Sequence, residues 1–128
     1  MKTIESHFGG GKINQKIQVG GIQIFSDHDA DADGDGTGAS PLEFLGIALA
    51  ACTGMTLRMY ALKKEWPLED AVVKVDAQRI DELEILNRSI QLVGNLSQEQ
   101  KERLLEIANK CYLHKVLTGK IQVKTQLV

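Results

Sequence analysis

The stretch SPLEFLGIALAACTGMTLRMYALKKEWP, residues 40–67, decides the fold. Its first residues are a helix start. Ser40 can accept from the free amide three residues on, Pro41 suits the first helical position, and Glu43 can reach back to the Ser40 amide. Trp66-Pro67 ends the run, because proline lacks an amide hydrogen and crowds the turn before it. Between these signals the spacing predicts one long helix. From Phe44 to Thr56 it carries no charge and is apolar nearly all round. Such a helix belongs inside a core rather than on a surface. A chain of 128 residues with short strands has little to cover it with, so the reading expects a second copy of the chain to do so, in a homodimer.

Upstream, KINQKIQV (12–19) alternates Ile13, Ile17 and Val19 against polar residues, and IQIF (22–25) returns after Gly20-Gly21. Two glycines supply the positive φ angles of a tight hairpin turn. The loop SDHDADADGDGTGAS (26–40) opens like a calcium loop at Asp29, Asp31, Asp33, Gly34 and Asp35. The closing position, where a bidentate Glu is needed, is Ser40, and no amphipathic helix precedes the loop. A solvated connection is therefore the expectation, with weak cation binding as its rival.

Downstream, AVVKVDAQR (71–79) and LNRSIQLVG (86–94) read as β-strands joined through Ile80 to Glu84. SQEQKERLLEIANKCYLHKVL (97–117) reads as a second helix, opened by a Ser97–Gln100 capping box. Leu104, Ile107, Ala108 and Cys111 then recur at helical spacing on one apolar stripe. KIQVKTQLV (120–128) alternates as a final strand. The order strands, helix, strands, helix, strand indicates a single α+β domain over residues 1–128, built on antiparallel sheets.

Net charge is −2 and aromatic side chains make up 5% of the chain. That gives neither the positive field nor the stacking surface of a nucleic-acid binder. No unbroken run of about 18 apolar residues occurs, so no membrane span is expected. The opening MKTIESHFGGGK lacks the apolar segment of a secretory signal, which points to the cytoplasm. In a reducing compartment two cysteines are inert core thiols, metal ligands or redox groups.

Those cysteines are Cys52, among small and apolar neighbours, and Cys111. Leu45, Ala48, Cys52, Met55 and Met59 share one face of the first helix. Were the two helical stripes to face each other, both thiols would enter one seam. Free cysteine is also among the most buried residue types, so two unrelated core thiols remain an equal alternative at this point. Cys111 and His114 have a ligand-like spacing, but structural zinc wants four ligands and no second short pair exists. No metal is expected. His114 suits a helix C-terminal end, and His7 and His28 carry no specific signal.

GASPLEFLGIALAACTGMTLRMYA and LSQEQKERLLEIANKCYLHKVL resemble, in order, the two helices of the OsmC/Ohr family, with its A-A-C thiol and a relative of its C-P-x-H motif. GGGKINQKIQVGGIQIFSD resembles its N-terminal hairpin. The resemblance implies an OsmC-like fold in an intertwined homodimer, with sheets wrapped around two central helices and sites at the subunit interface. It implies a cysteine-based peroxidase reducing organic hydroperoxides in oxidative-stress defence. Cys52 would attack the peroxide and become a sulfenic acid, and Cys111 would resolve it as a disulfide. A dithiol reductant, lipoyl-linked in family members, would reopen the bond. No cofactor is implied. Leu45, Met55 and Met59 would line an apolar substrate pocket.

The chain departs from the family pattern in its charges. Organic hydroperoxide enzymes of the family place an Arg near the first strand, held by a Glu ten residues before the cysteine. Here no Arg precedes Arg58, and that position is Leu42. Glu43 lies about 180° round a regular helix from Cys52, which favours a capping role over an active-site one, and Arg58 lies about 240° round. Lys12, after three glycines, stands where the family's Arg-bearing segment would lie, without arginine's two-pronged donor. A dimer that keeps the fold as a ligand-binding or scaffold protein is accordingly the competing reading.

Overall fold

The computed structural model describes residues 1–128. The chain forms two compact units, residues 1–45 and 46–128. In the first, strands β1 (Ile4–Phe8), β2 (Gln15–Val19) and β3 (Ile22–Ser26) make an antiparallel sheet in the order β1-β2-β3. The two-residue turn that pairs Val19 with Ile22 falls on Gly20-Gly21, as expected, but only Gly20 takes a positive φ (+61°). β1 was not expected. Its sequence IESHF shows no clear apolar alternation, and every residue in it is exposed. It exists because β2 offers an edge, with pairing from Ile4–Val19 to Phe8–Gln15.

The acidic loop is ordered by its own aspartate. Asp27 is 3% exposed, and its carboxylate accepts the amides of His28 (2.8 Å), Asp35 (3.1 Å) and Thr37 (3.1 Å) and the Thr37 hydroxyl (2.8 Å). Gly34 packs so tightly that a Cβ there would overlap the His28 carbonyl. Nowhere in the chain do three or more His, Cys, Asp or Glu side chains gather where they could hold a metal ion. Burial pushes the Asp27 carboxyl up, but the bonds from Thr37, Asp35 and His28 outweigh it and hold the group below its ordinary value. A lowered folded value means the stabilisation is complete above the unfolded value of about 4 and is lost as pH falls through the folded one. Asp27→Asn should therefore lower the urea midpoint at pH 7, with the gap to the parent closing below about pH 4. A gap that stays constant with pH would contradict this account.

Helix α1 (Pro41–Lys64) begins with the reciprocal cap its sequence encodes. The Ser40 amide donates to Glu43 Oε2 at 2.8 Å, and the Glu43 amide donates to Ser40 Oγ at 3.2 Å. By length and composition alone α1 is apolar enough to cross a bilayer, although no 18-residue run in it is wholly apolar. Its buried stripe is Leu49, Thr53, Leu57 and Ala61, four residues apart, with the helix end at Glu65 in the left-handed region (φ 56°).

In the second unit β4 (Asp70–Ile80) and β5 (Leu83–Val93) form a long antiparallel hairpin turned by Asp81 and Glu82. Helix α2 (Gln98–Ala108) follows the Ser97–Gln100 capping box, which is present in full. Leu57 and Ala61 of α1, Leu68, Leu96, and Leu104 and Ala108 of α2 make the core, flanked by Tyr60, Trp66, Ala71, Ile90, Leu92 and Ile107.

Two expectations fail. The second helix is not continuous: α2 ends at Ala108 and a shorter α3 (Tyr112–Thr118) starts beyond Cys111, whose backbone is extended (φ −62°, ψ 150°). The apolar stripe survives the break because Cys111 remains buried. Residues 120–128 form no strand, and Ile121, Val123 and Leu127 are exposed. Alternation marks a strand only where another strand supplies hydrogen bonds, and neither sheet of this chain pairs with that segment.

Candidate active site around the two thiols

α1 and the α2–α3 break bring the cysteines together. Cys52 lies on α1 and is partly exposed, Cys111 is 1% exposed, and the two approach to 4.0 Å. Both are free thiols.

Cys111 acts as the N-cap of α3, its sulfur accepting the His114 amide at 3.4 Å. Beside it stands Thr53, fully buried on α1, whose hydroxyl donates to the Leu49 carbonyl at 2.6 Å and lies 3.9 Å from Cys111 Sγ. Threonine bonding to the carbonyl four residues back is a familiar way to bury a hydroxyl in a helix.

A cation completes the cluster. Arg88 reaches from β5 with Nη1 donating to Thr53 Oγ1 (3.0 Å) and the Ala108 carbonyl (3.3 Å), and lying 3.8 Å from Cys111 Sγ. Its Nη2 donates to Asn109 Oδ1 (2.9 Å) and meets His114 Nδ1 at 3.1 Å. Guanidinium only donates, so Nδ1 must accept, which puts the ring hydrogen of His114 on Nε2. The side chain therefore sits in the break between α2 and α3 and ties both helices to the hairpin. Burial pushes the Cys111 thiol up. The His114 amide, Cys52 and the Arg88 charge outweigh it, so the thiol is held below its ordinary value.

The other residues singled out from the sequence lie elsewhere. Lys12 is exposed in the loop after β1, its amide donating to Asp35 Oδ2 at 3.0 Å. Glu43 caps α1. Arg58 donates to the Leu68 carbonyl at 2.8 Å. Leu45, Met55 and Met59 are 44%, 66% and 70% exposed, so within one chain they enclose nothing.

Arg88 was missed by sequence reasoning, although a signal existed. Leu86, Arg88, Ile90 and Leu92 alternate as the half-buried face of β5, while Asn87, Ser89, Gln91 and Val93 are exposed. A lone arginine in an inward-facing apolar row needs an acceptor, and nothing local supplies one.

The fold has close counterparts among solved structures. An OsmC-like protein from Mycoplasma pneumoniae superposes with a TM-score of 0.80 at 18% identity, covering 93% of this chain and 88% of that one. An organic hydroperoxide resistance protein OsmC from Legionella pneumophila gives 0.67 at 19% identity, with 93% and 90% covered. The organic hydroperoxide resistance protein OhrB of Bacillus subtilis gives 0.61 at 19% identity, with 97% and 95% covered. At these identities the likeness is one of fold. A search of the curated proteins finds no match. The family model described as OsmC-like protein matches residues 34–126, which runs from the acidic loop through both cysteines to the C-terminal segment. With the α+β arrangement of antiparallel sheets and helices that those structures share, this match places the chain in the OsmC-like protein family.

Proposed function

We propose that this protein is a thiol peroxidase that reduces organic hydroperoxides with Cys52 and Cys111. The observation that carries the reading is the approach of the two thiols to 4.0 Å, with the half-buried guanidinium of Arg88 beside Cys111. Cys52 is the accessible member and takes the peroxidatic role. Its thiolate attacks one peroxide oxygen, the O–O bond breaks, and the departing alkoxide takes up a proton to leave as alcohol. Cys111 then attacks the Cys52 sulfenic acid, forming the disulfide and releasing water. A dithiol restores both thiols. Relatives of known structure carry the name organic hydroperoxide resistance protein, which agrees with this substrate class.

The working unit in this proposal is a homodimer of one-domain subunits. Leu45, Ala48, Cys52, Met55, Met59 and Leu62 follow one another three and four residues apart, the spacing of a helix–helix seam. Leu45, Met55, Met59 and Leu62 are exposed, a large apolar stripe for an isolated chain. A second copy laid along this seam would enclose Cys52 in an apolar pocket suited to an organic peroxide. The family match spans residues of both compact units, in keeping with a single domain. Arg88 is the cation beside Cys111, while Lys12 lies in the loop after β1 and Glu43 caps α1.

Treating the reduced protein with cumene hydroperoxide should form an intramolecular Cys52–Cys111 disulfide, read by peptide mass mapping. Both thiols remaining free would remove the peroxidase reading and leave a dimeric scaffold or ligand-binding protein of the same fold.

A further inference from the structure

The cluster around Cys111 is asymmetric in a way that bears on the return half of the cycle. Cys52 is partly exposed and Cys111 is sealed at 1%, so an incoming thiol can line up with only one of the two sulfurs. The sealed sulfur is also the one with donors around it: the His114 amide at 3.4 Å and Arg88 Nη1 at 3.8 Å. Arg88 is fixed there by the Ala108 carbonyl, Asn109 and His114, so it meets a developing charge without rearrangement. The titratable or charged side chains at this sulfur are Arg88 from β5, Cys52 from α1 and, through Arg88, His114 from α3.

We propose that Arg88 directs the reopening of the disulfide, making Cys111 the leaving thiolate and Cys52 the sulfur that the reductant attacks. The proposal rests on the cysteine pair described under the function above and on the dithiol named there. One thiolate of the dithiol attacks Cys52 Sγ. A mixed disulfide to Cys52 forms as the Cys52–Cys111 bond breaks, and the electron pair departs on Cys111 Sγ beside Arg88. The second thiol of the reductant then attacks its own chain's sulfur, closing a cyclic disulfide and releasing Cys52 as thiolate. Two electrons pass to the protein, and the two protons given up by the dithiol end on the cysteines. Exchange is faster when the departing thiol is the more acidic one, so a cation at Cys111 and access at Cys52 favour the same direction.

The test starts from disulfide made with diamide, so it needs no peroxide. If diamide links the pair and cumene hydroperoxide does not, the peroxidase reading fails and the direction of opening is still measured. The oxidised, unmutated protein is mixed with glutathione, quenched in acid, alkylated and mapped by mass spectrometry. Glutathione should be found on Cys52 and the alkyl group on Cys111. Glutathione on Cys111, an even mixture, or no link formed by diamide overturns the proposal.

Arg88→Met should slow reduction by dithiothreitol roughly tenfold, while Arg88→Lys, which keeps the charge, should lose much less. Equal losses in both variants would overturn the charge as the cause. In Cys52→Ser, where Cys111 is the only thiol, absorbance at 240 nm follows its ionisation. Adding Arg88→Met should move that titration to higher pH, because removing a cation disfavours the thiolate. An unmoved titration would contradict the role of Arg88, and a loss of packing alone gives no reason for a shift in this direction with rescue by lysine.

Discussion

Cys52→Ser should abolish hydroperoxide turnover, with a loss on the order of 10³-fold or more, whereas Cys111→Ser should consume one equivalent and stop. The difference follows from position. Cys52 is the only thiol with access from outside α1, and a serine hydroxyl at that site has neither the acidity nor the nucleophilicity of sulfur. Cys111 is enclosed by Thr53, Arg88 and the start of α3, so it acts on a sulfur already oxidised rather than on free peroxide. The Cys111→Ser protein should hold its oxidised Cys52 as a sulfenic acid, trapped by dimedone and seen as a single mass adduct. A Cys52→Ser protein that retains substantial turnover would reverse the roles, giving first attack to the thiolate beside Arg88. The two variants measured side by side therefore test the order of the chemistry and not merely the need for sulfur.

Leu104→Ala should cost about 3 kcal/mol, within the range of roughly 2–5 for large-to-small changes at fully buried leucines. Leu104 is 0% exposed and joins α2 to Leu57 and Ala61 of α1 beneath the β4–β5 hairpin residues Ile90 and Leu92. Leu57→Ala should cost a similar amount for the same reason. The two share one cluster, so the double variant should depart from the sum of the singles. Urea unfolding followed by circular dichroism measures all three. A Leu104→Ala midpoint equal to the parent's would mean that this cluster is not the core of the second unit. The effect also reaches the thiols, because Ala108, one turn beyond Leu104, offers the carbonyl that anchors Arg88.

Much of the architecture was legible in short stretches. Ser40, Pro41 and Glu43 set the start of α1, Gly20-Gly21 turned the first hairpin, and Ser97 with Gln100 opened α2. In each case the deciding forces act within about four residues, so the sequence shows both partners of the interaction at once. The long helix, the antiparallel strands and the α+β class followed from these signals and from hydrophobic spacing. The cysteines could be named as a pair only through resemblance, because 58 residues separate Thr53 from Cys111 and no local rule spans that gap.

Helical spacing carried Cys111 through residues 109–111, where the structure ends one helix and caps another. Spacing records which face a side chain occupies, and that face is the same whether the chain passes it in one helix or two. β1 and the C-terminal segment mark the opposite error. A strand exists by virtue of its neighbour, so IESHF pairs despite weak patterning and KIQVKTQLV stays unpaired despite strong patterning.

By itself, then, the sequence determined the caps, the turns, the apolar stripes and the identity of the two thiols. Only the tertiary structure decided which charge stands beside Cys111. Arg88 lies 20 to 35 residues from the atoms it binds, on Thr53, Ala108, Asn109 and His114, and no spacing rule links it to any of them. A charge inside an apolar row announces that it must be satisfied, but its acceptors exist only once β5 has been laid against α1 and the break between α2 and α3.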